Sequence, residues 1–148
     1  MQPLVFSWPG DATLELLNER SRGTLMEALG IRFTELGEGV LRATMPVDPR
    51  THQPYGLLHG GASVALAETL GSSAGVLMAG GNAVVGLEIN ANHLRAVRQG
   101  IVTGSARPLH LGRSTQVWQI DIADEAGKPV CVSRITLAVL PRPPASAS

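Results

Sequence analysis

Apolar residues recur along this chain with two periods, and the switch between them divides it into elements. Over Leu57–Met78, LLHGGASVALAETLGSSAGVLM, the positions of Val64, Leu66, Ala67 and Leu70 predict a long helix buried on more than one side. Upstream, Leu14, Leu16 and Leu17 give Asp11–Asn18 a short helical pattern. Thr24 and Glu27 form a capping box ahead of Leu25, Ala28 and Leu29, and Gly30 ends that second helix. Ile31–Leu36 alternates as a strand does, Gly37–Gly39 turns the chain, and Val40–Met45 returns as a second strand. Pro46–Gly56 follows neither period and reads as a loop feeding the long helix.

After Ala79–Asn82 breaks the helix, four strands are expected: Ala83–Asn92, Ile101–Leu111, Ser114–Ala123 and Val130–Leu140, with a turn at Asp124–Gly127 joining the last two. In the third, Val117, Gln119 and Asp121 alternate with Trp118, Ile120 and Ile122, which predicts one wet and one dry face. Strands that are not separated by helices argue for an antiparallel sheet with the single long helix on one face, an α+β class. Ala62, Ala67, Gly71, Ala74 and Gly75 are small enough to let that sheet curve closely around it. Residues 1–10 read as an irregular arm and 141–148, rich in Pro, Ala and Ser, as a disordered tail; residues 1–148 are expected to form a single domain without internal repeats.

Charge and cysteine content narrow the function classes. Twelve Lys and Arg balance twelve Asp and Glu, so no basic field points to nucleic acid. The one cysteine, Cys131, lies in an apolar run and is expected in the core, without a disulfide or thiolate metal site. No leader pattern and no long apolar run point to a membrane, so a cytoplasmic location is expected.

The chemistry concentrates in the long helix. His59 stands at the N-cap position, and Gly60 and Gly61 leave first-turn N–H groups uncovered, where a negative oxygen is welcome. Glu68 is the only acid in the stretch. A carboxylate in such company has either an ion-pair partner or a chemical task. Thioester hydrolysis needs a group that attacks or activates water and a donor for the developing oxyanion, which Glu68 and the Gly60 N–H can supply. Gly71–Gly75 matches Gly-x-Ser-x-Gly but lies mid-helix, where a nucleophile elbow does not form. Asp48 and His52 are one residue short of the interval required for a hydratase pair, and His52, His59, His93 and His110 have no zinc-site spacing. Arg95, Arg98, Arg107 and Arg113 suit phosphates if they cluster.

The stretch QPYGLLHGG, with Glu68 eight residues past Gly60, resembles the hotdog-fold acyl-CoA thioesterases in which the catalytic carboxylate lies on the central helix. VVGLEINANHLR and PLHLGRSTQVWQI are most similar to the 1,4-dihydroxy-2-naphthoyl-CoA thioesterases, and more distantly to the 4-hydroxybenzoyl-CoA and phenylacetyl-CoA thioesterases. The resemblance implies an antiparallel sheet wrapped around one central helix. It makes Glu68 the base or nucleophile and Gly60 the oxyanion donor, has Gln53 and His59 orient water and thioester, and places Ser72 near the leaving sulfur. It assigns coenzyme A contacts to Gly86, to His93, Leu94, Arg95 and Ala96, and to His110, Leu111, Gly112, Arg113, Ser114 and Thr115; Ala96 replaces a hydroxyl of the nearest relatives. The implied function is hydrolysis of an aromatic or bulky acyl-CoA, with coenzyme A part of the substrate and no other cofactor. A hotdog hydratase or dehydratase and a non-catalytic acyl-CoA binder are the alternatives. Gly60 and Glu68 lie about 12 Å apart along a helix axis at roughly 1.5 Å per residue, too far for one carbonyl. A homodimer with composite sites is therefore expected, with a dimer of dimers suggested by the resemblance.

Overall fold

The computed structural model describes Leu4 and residues 6–142, so part of the expected arm and the tail from 143 onward lie outside the described residues. The elements are α1 (Leu14–Arg20), α2 (Leu25–Ala28), β1 (Arg32–Gly37), β2 (Val40–Val47), α3 (Gly60–Met78), β3 (Ala83–His93), β4 (Gly100–Leu111), β5 (Thr115–Ala123) and β6 (Pro129–Leu140). The strands form one antiparallel sheet in the order β1-β2-β4-β5-β6-β3. Among the described residues no helix is long and apolar enough to cross a membrane.

Several boundaries moved for local reasons. The first helix starts at Leu14 because Thr13 caps it, its side chain accepting from the Leu16 N–H. The capping box at Thr24 is shifted: Thr24 Oγ1 accepts from Met26 N, and Glu27 reaches past it to the Gly23 N–H at 2.8 Å. β2 continues through Pro46, which pairs with Ile101 of β4 beyond the last pairing of β2 with β1, so its missing N–H costs no ladder bond there. Leu57 and Leu58 belong to the preceding loop rather than to α3.

The long helix is buried on one side, not on several. Ala62, Ser63, Leu66, Ala67, Leu70, Gly71, Ala74 and Gly75 form a stripe against the sheet, while Gly61 and Val76 are exposed and Glu68 and Ser72 are half-buried, Glu68 on the flank beside the edge strand β3. A sheet curved around a helix covers one side of it, and among the described residues Gly61 and Val76 are left exposed on the other. Trp118, Ile120 and Ile122 face this stripe from β5 as the alternation predicts. Cys131 is buried, and burial pushes its thiol above the ordinary range. Gln116 Nε2 donates to the Gly75 carbonyl at 3.3 Å and its Oε1 accepts from Trp118 Nε1 at 2.9 Å, which ties the C-terminal half of α3 to the sheet.

The two edges of the sheet differ. On β1, the Asn18 side chain donates to the Phe33 carbonyl at 3.0 Å and accepts from the Phe33 N–H at 2.9 Å, so a helix side chain occupies the ladder position that a further strand needs. On β3, Val85 and Leu87 are exposed, and the pairing with β6 slips between Gly86 and Glu88, a bulge on an outer strand.

Close approach of α3 generates the first prediction. A Cβ on Gly71 would lie 2.4 Å from Ile135 Cγ2, and one on Gly75 would lie 2.3 Å from Leu137 Cδ1, both on fully buried side chains. Gly71→Ala gains about 1 kcal/mol of helix propensity but forces overpacking that costs roughly 1–3 kcal/mol. Thermal unfolding should show a net loss of stability; a gain would mean that the helix stands further from the sheet than described.

Candidate active site

Residues 46–59 build the entrance to α3. The Gln53 N–H donates to the Leu57 carbonyl and the His59 N–H to the Thr51 carbonyl, both at 2.8 Å, so a small hairpin closes on a turn at Gln53–Gly56. Within that turn the Tyr55 N–H donates to Gln53 Oε1. The hairpin is held to the segment after β3 by Leu58 N to the Val97 carbonyl at 2.7 Å and by His52 Nε2 to the Arg98 carbonyl at 2.9 Å.

His59 then meets three of the four N–H groups that open the helix. Its Nδ1 accepts from Gly61 N at 2.8 Å, and its carbonyl accepts from Ala62 N at 3.0 Å and Ser63 N at 3.2 Å. The accepting Nδ1 carries no proton, which places the proton of the neutral ring on Nε2. Only the Gly60 N–H of the four has no acceptor among the described residues. It is a donor at the positive end of a helix dipole, where a negative oxygen is welcome.

Gly60 lines an open cleft of about 340 Å³ together with Gln53, Leu57, Leu58, Ser63, His93, Leu94, Arg95, Ala96 and Val130. The His93 ring lies directly over the glycine: a Cβ on Gly60 would stand 2.7 Å from His93 Nε2. Thus the expected residues Gln53, Gly60 and His93–Ala96 converge at the start of α3. Ser63, 2% exposed, joins them; its place was not legible because the sequence does not say which residue of the first turn faces the cleft. A larger open concavity of about 1000 Å³ between α1, α2 and β1 holds none of the expected site residues.

Glu68 forms a second cluster further along α3. Ser72 Oγ donates to Glu68 Oε1 at 3.2 Å, and a Cβ on Gly86 of β3 would lie 2.9 Å from the same oxygen. The bulge of β3 therefore sits beside the carboxylate, with Gly86 leaving it room. Glu68 has no ion-pair partner among the described residues, which answers the ion-pair alternative within one chain.

His110–Thr115 forms a third group at the tip of the β4–β5 hairpin. There Gly112 N donates to the Thr115 carbonyl and Val139 N to the Ser114 carbonyl, both at 2.9 Å. This tip lies at the C-terminal end of α3, since the neighbouring Gln116 bonds Gly75, whereas His93–Ala96 lies at the N-terminal end. A helix of 19 residues separates them, roughly 28 Å at 1.5 Å per residue.

The competing arrangements are committed elsewhere. Asp48 is bound by Arg50, whose guanidinium at 2.7 Å holds its carboxyl below the usual range, and His52 is tied to Arg98. Gly71–Gly75 lies within α3, and no group of three or more potential metal ligands occurs among the described residues.

Residues 55–131 match the family described as the thioesterase superfamily. The chain is 60% identical over 134 residues to the proofreading thioesterase EntH of Cronobacter turicensis, covering 90% of this chain and 98% of that one. It is 57% identical over 134 residues, with the same coverages, to the 1,4-dihydroxy-2-naphthoyl-CoA hydrolase of Escherichia coli. The crystal structure of a thioesterase from Haemophilus influenzae superimposes with a TM-score of 0.89 at 54% identity, covering 95% of this chain and 99% of that one. From the wrapped helix and from these relatives together, the chain belongs to the thioesterase superfamily and is a hotdog-fold thioester hydrolase.

Proposed function

We propose that this enzyme hydrolyses an aromatic or otherwise bulky acyl-CoA at sites shared between two copies of the chain, with Glu68 as base or nucleophile and the Gly60 N–H as oxyanion donor. The observation that carries this reading is the separation of the two groups on one helix. Gly60 holds the open N–H at its start, and Glu68 lies on its flank beside β3 about 12 Å further on. A second copy lying alongside brings its own helix start to the first copy's Glu68, and the reverse.

The sheet edges favour where that copy joins. Asn18 blocks β1, whereas β3 is long, unblocked and carries exposed Val85 and Leu87 next to the bulge at Glu68. The two groups expected at coenzyme A lie at opposite ends of α3, so a single cofactor-sized chain reaches both only across copies. A dimer of dimers extends the same reading. The cellular location we propose is cytoplasmic, a reducing compartment that suits the single, buried, unbridged Cys131.

In the base route Glu68 takes a proton from water, and the water oxygen attacks the thioester carbon. The carbonyl electron pair moves onto oxygen, where the Gly60 N–H receives it. Collapse breaks the C–S bond, and the coenzyme A sulfur takes the proton back from Glu68, leaving acid and thiol. In the nucleophile route a Glu68 oxygen attacks the carbon itself, the thiolate leaves, and water opens the resulting anhydride. Either route needs one carboxylate oxygen uncommitted, and the Ser72 hydroxyl holds Oε1 alone. Gln53 and His59 orient water and thioester at the helix start, and Ser72 lies near the leaving sulfur. Coenzyme A enters as substrate, its phosphates met by Arg95 and the β4–β5 tip. No separate cofactor takes part. The name of one relative, a 1,4-dihydroxy-2-naphthoyl-CoA hydrolase, supports a bulky aromatic acyl group.

Thiol release over a panel of acyl-CoAs tests this directly. Glu68→Gln should lower kcat by at least about 100-fold with little change in KM; a raised KM with normal kcat would reduce Glu68 to a binding group. Arg95→Ala should raise KM for every acyl-CoA alike, and a changed acyl preference would move Arg95 into the acyl pocket instead.

A further inference from the structure

We infer that Thr51 is a positioning residue for the oxyanion donor, acting through His59 on the Gly60 N–H. Thr51 is the one side chain of the 46–59 loop that is both polar and fully buried, 1% exposed. Its Oγ1 donates to the Pro46 carbonyl at 2.8 Å and accepts from the Asp48 N–H at 3.2 Å, while its N–H donates to the Asp48 carbonyl at 2.9 Å. Both capacities of the hydroxyl are therefore used to fasten the loop to the end of β2.

The carbonyl of the same residue accepts the His59 N–H at 2.8 Å. That bond sets the height of His59, whose Nδ1 takes the Gly61 N–H and whose carbonyl takes those of Ala62 and Ser63. The Thr51 hydroxyl thus sits at the root of a continuous set of bonds that leaves Gly60 as the single open donor. A displacement of about 1 Å at such a donor can cost roughly 100-fold in rate without touching the substrate. Thr51 itself does not line the cleft, so its loss falls on the chemical step through His59 and Gly60. The inference rests on Gly60 being the oxyanion donor.

Thr51→Val keeps the shape and removes the hydroxyl. In the full-length enzyme it should lower kcat by about 10- to 100-fold with KM within about twofold, and Thr51→Ser should restore most of the rate. In a His59→Ala background, where only the ring's bond to the Gly61 N–H is gone, the loss from Thr51→Val should be smaller than in wild type, because residues acting through one another are not additive. Nitrogen spectra of the His59 ring should show the Nε2-protonated form in wild type and a mixture in Thr51→Val. Should the valine variant not fold, Thr51→Ala carries the same comparison. A normal kcat in Thr51→Val, additive losses with His59→Ala, or an unchanged ring spectrum overturns the inference. Failure of the underlying site reading shows separately, as full activity in Gly60→Pro, which removes the donor N–H.

Discussion

The close seating of α3 on the sheet is the contact on which everything else depends. Small residues along one stripe bring the helix backbone against Ile120, Ile135 and Leu137, and Gly104 of β4 receives Leu66 and Leu70 from the other side of the contact. Close packing of this kind fixes rotation as well as distance, because any turn about the helix axis drives a Cβ into a buried side chain. With rotation fixed, the middle of the sheet takes one side of α3, and Glu68 and Ser72 are left half-buried, with Glu68 at the β3 edge.

That division explains how a half-buried carboxylate persists without a cation. Glu68 keeps part of its hydration, takes one hydrogen bond from Ser72, and rests against a glycine rather than a side chain. The helix start is organised in the opposite way. There His59 and the 51–59 hairpin satisfy every first-turn N–H except one. A half-buried donor without a partner is a cost that a fold accepts where a ligand is to come.

Much of this was legible in the sequence. The 3.6-residue pattern of α3, the period-two strands, His59 as cap and Glu68 as an isolated acid each follow from local chemistry. Sheet order was not, because β3 follows α3 directly in the chain yet lies at the far edge beside β6, a pairing with no local signature. Without it the opposite placement of His93–Ala96 and His110–Thr115 could not be read, since both flank strands of similar character. Burial of α3 on several sides was expected because its apolar residues are spread around it. In one chain the remaining positions, among them Val64, Glu68 and Ser72, are only half-buried and Val76 is exposed. The Asn18 latch and the Thr51 anchor escaped notice because each joins segments only the fold brings together.

Sharing of each site between two copies is the central claim, and mixing two differently disabled variants tests it. One carries Glu68→Ala; the other carries His59→Ala with Gly60→Pro, which removes the donor N–H. After verified exchange of subunits, half the dimers are mixed and each has one intact site, so thiol release should recover to about a quarter of the wild-type rate. If two folded variants exchange subunits and no activity returns, Glu68 and Gly60 act within one chain and the account is wrong.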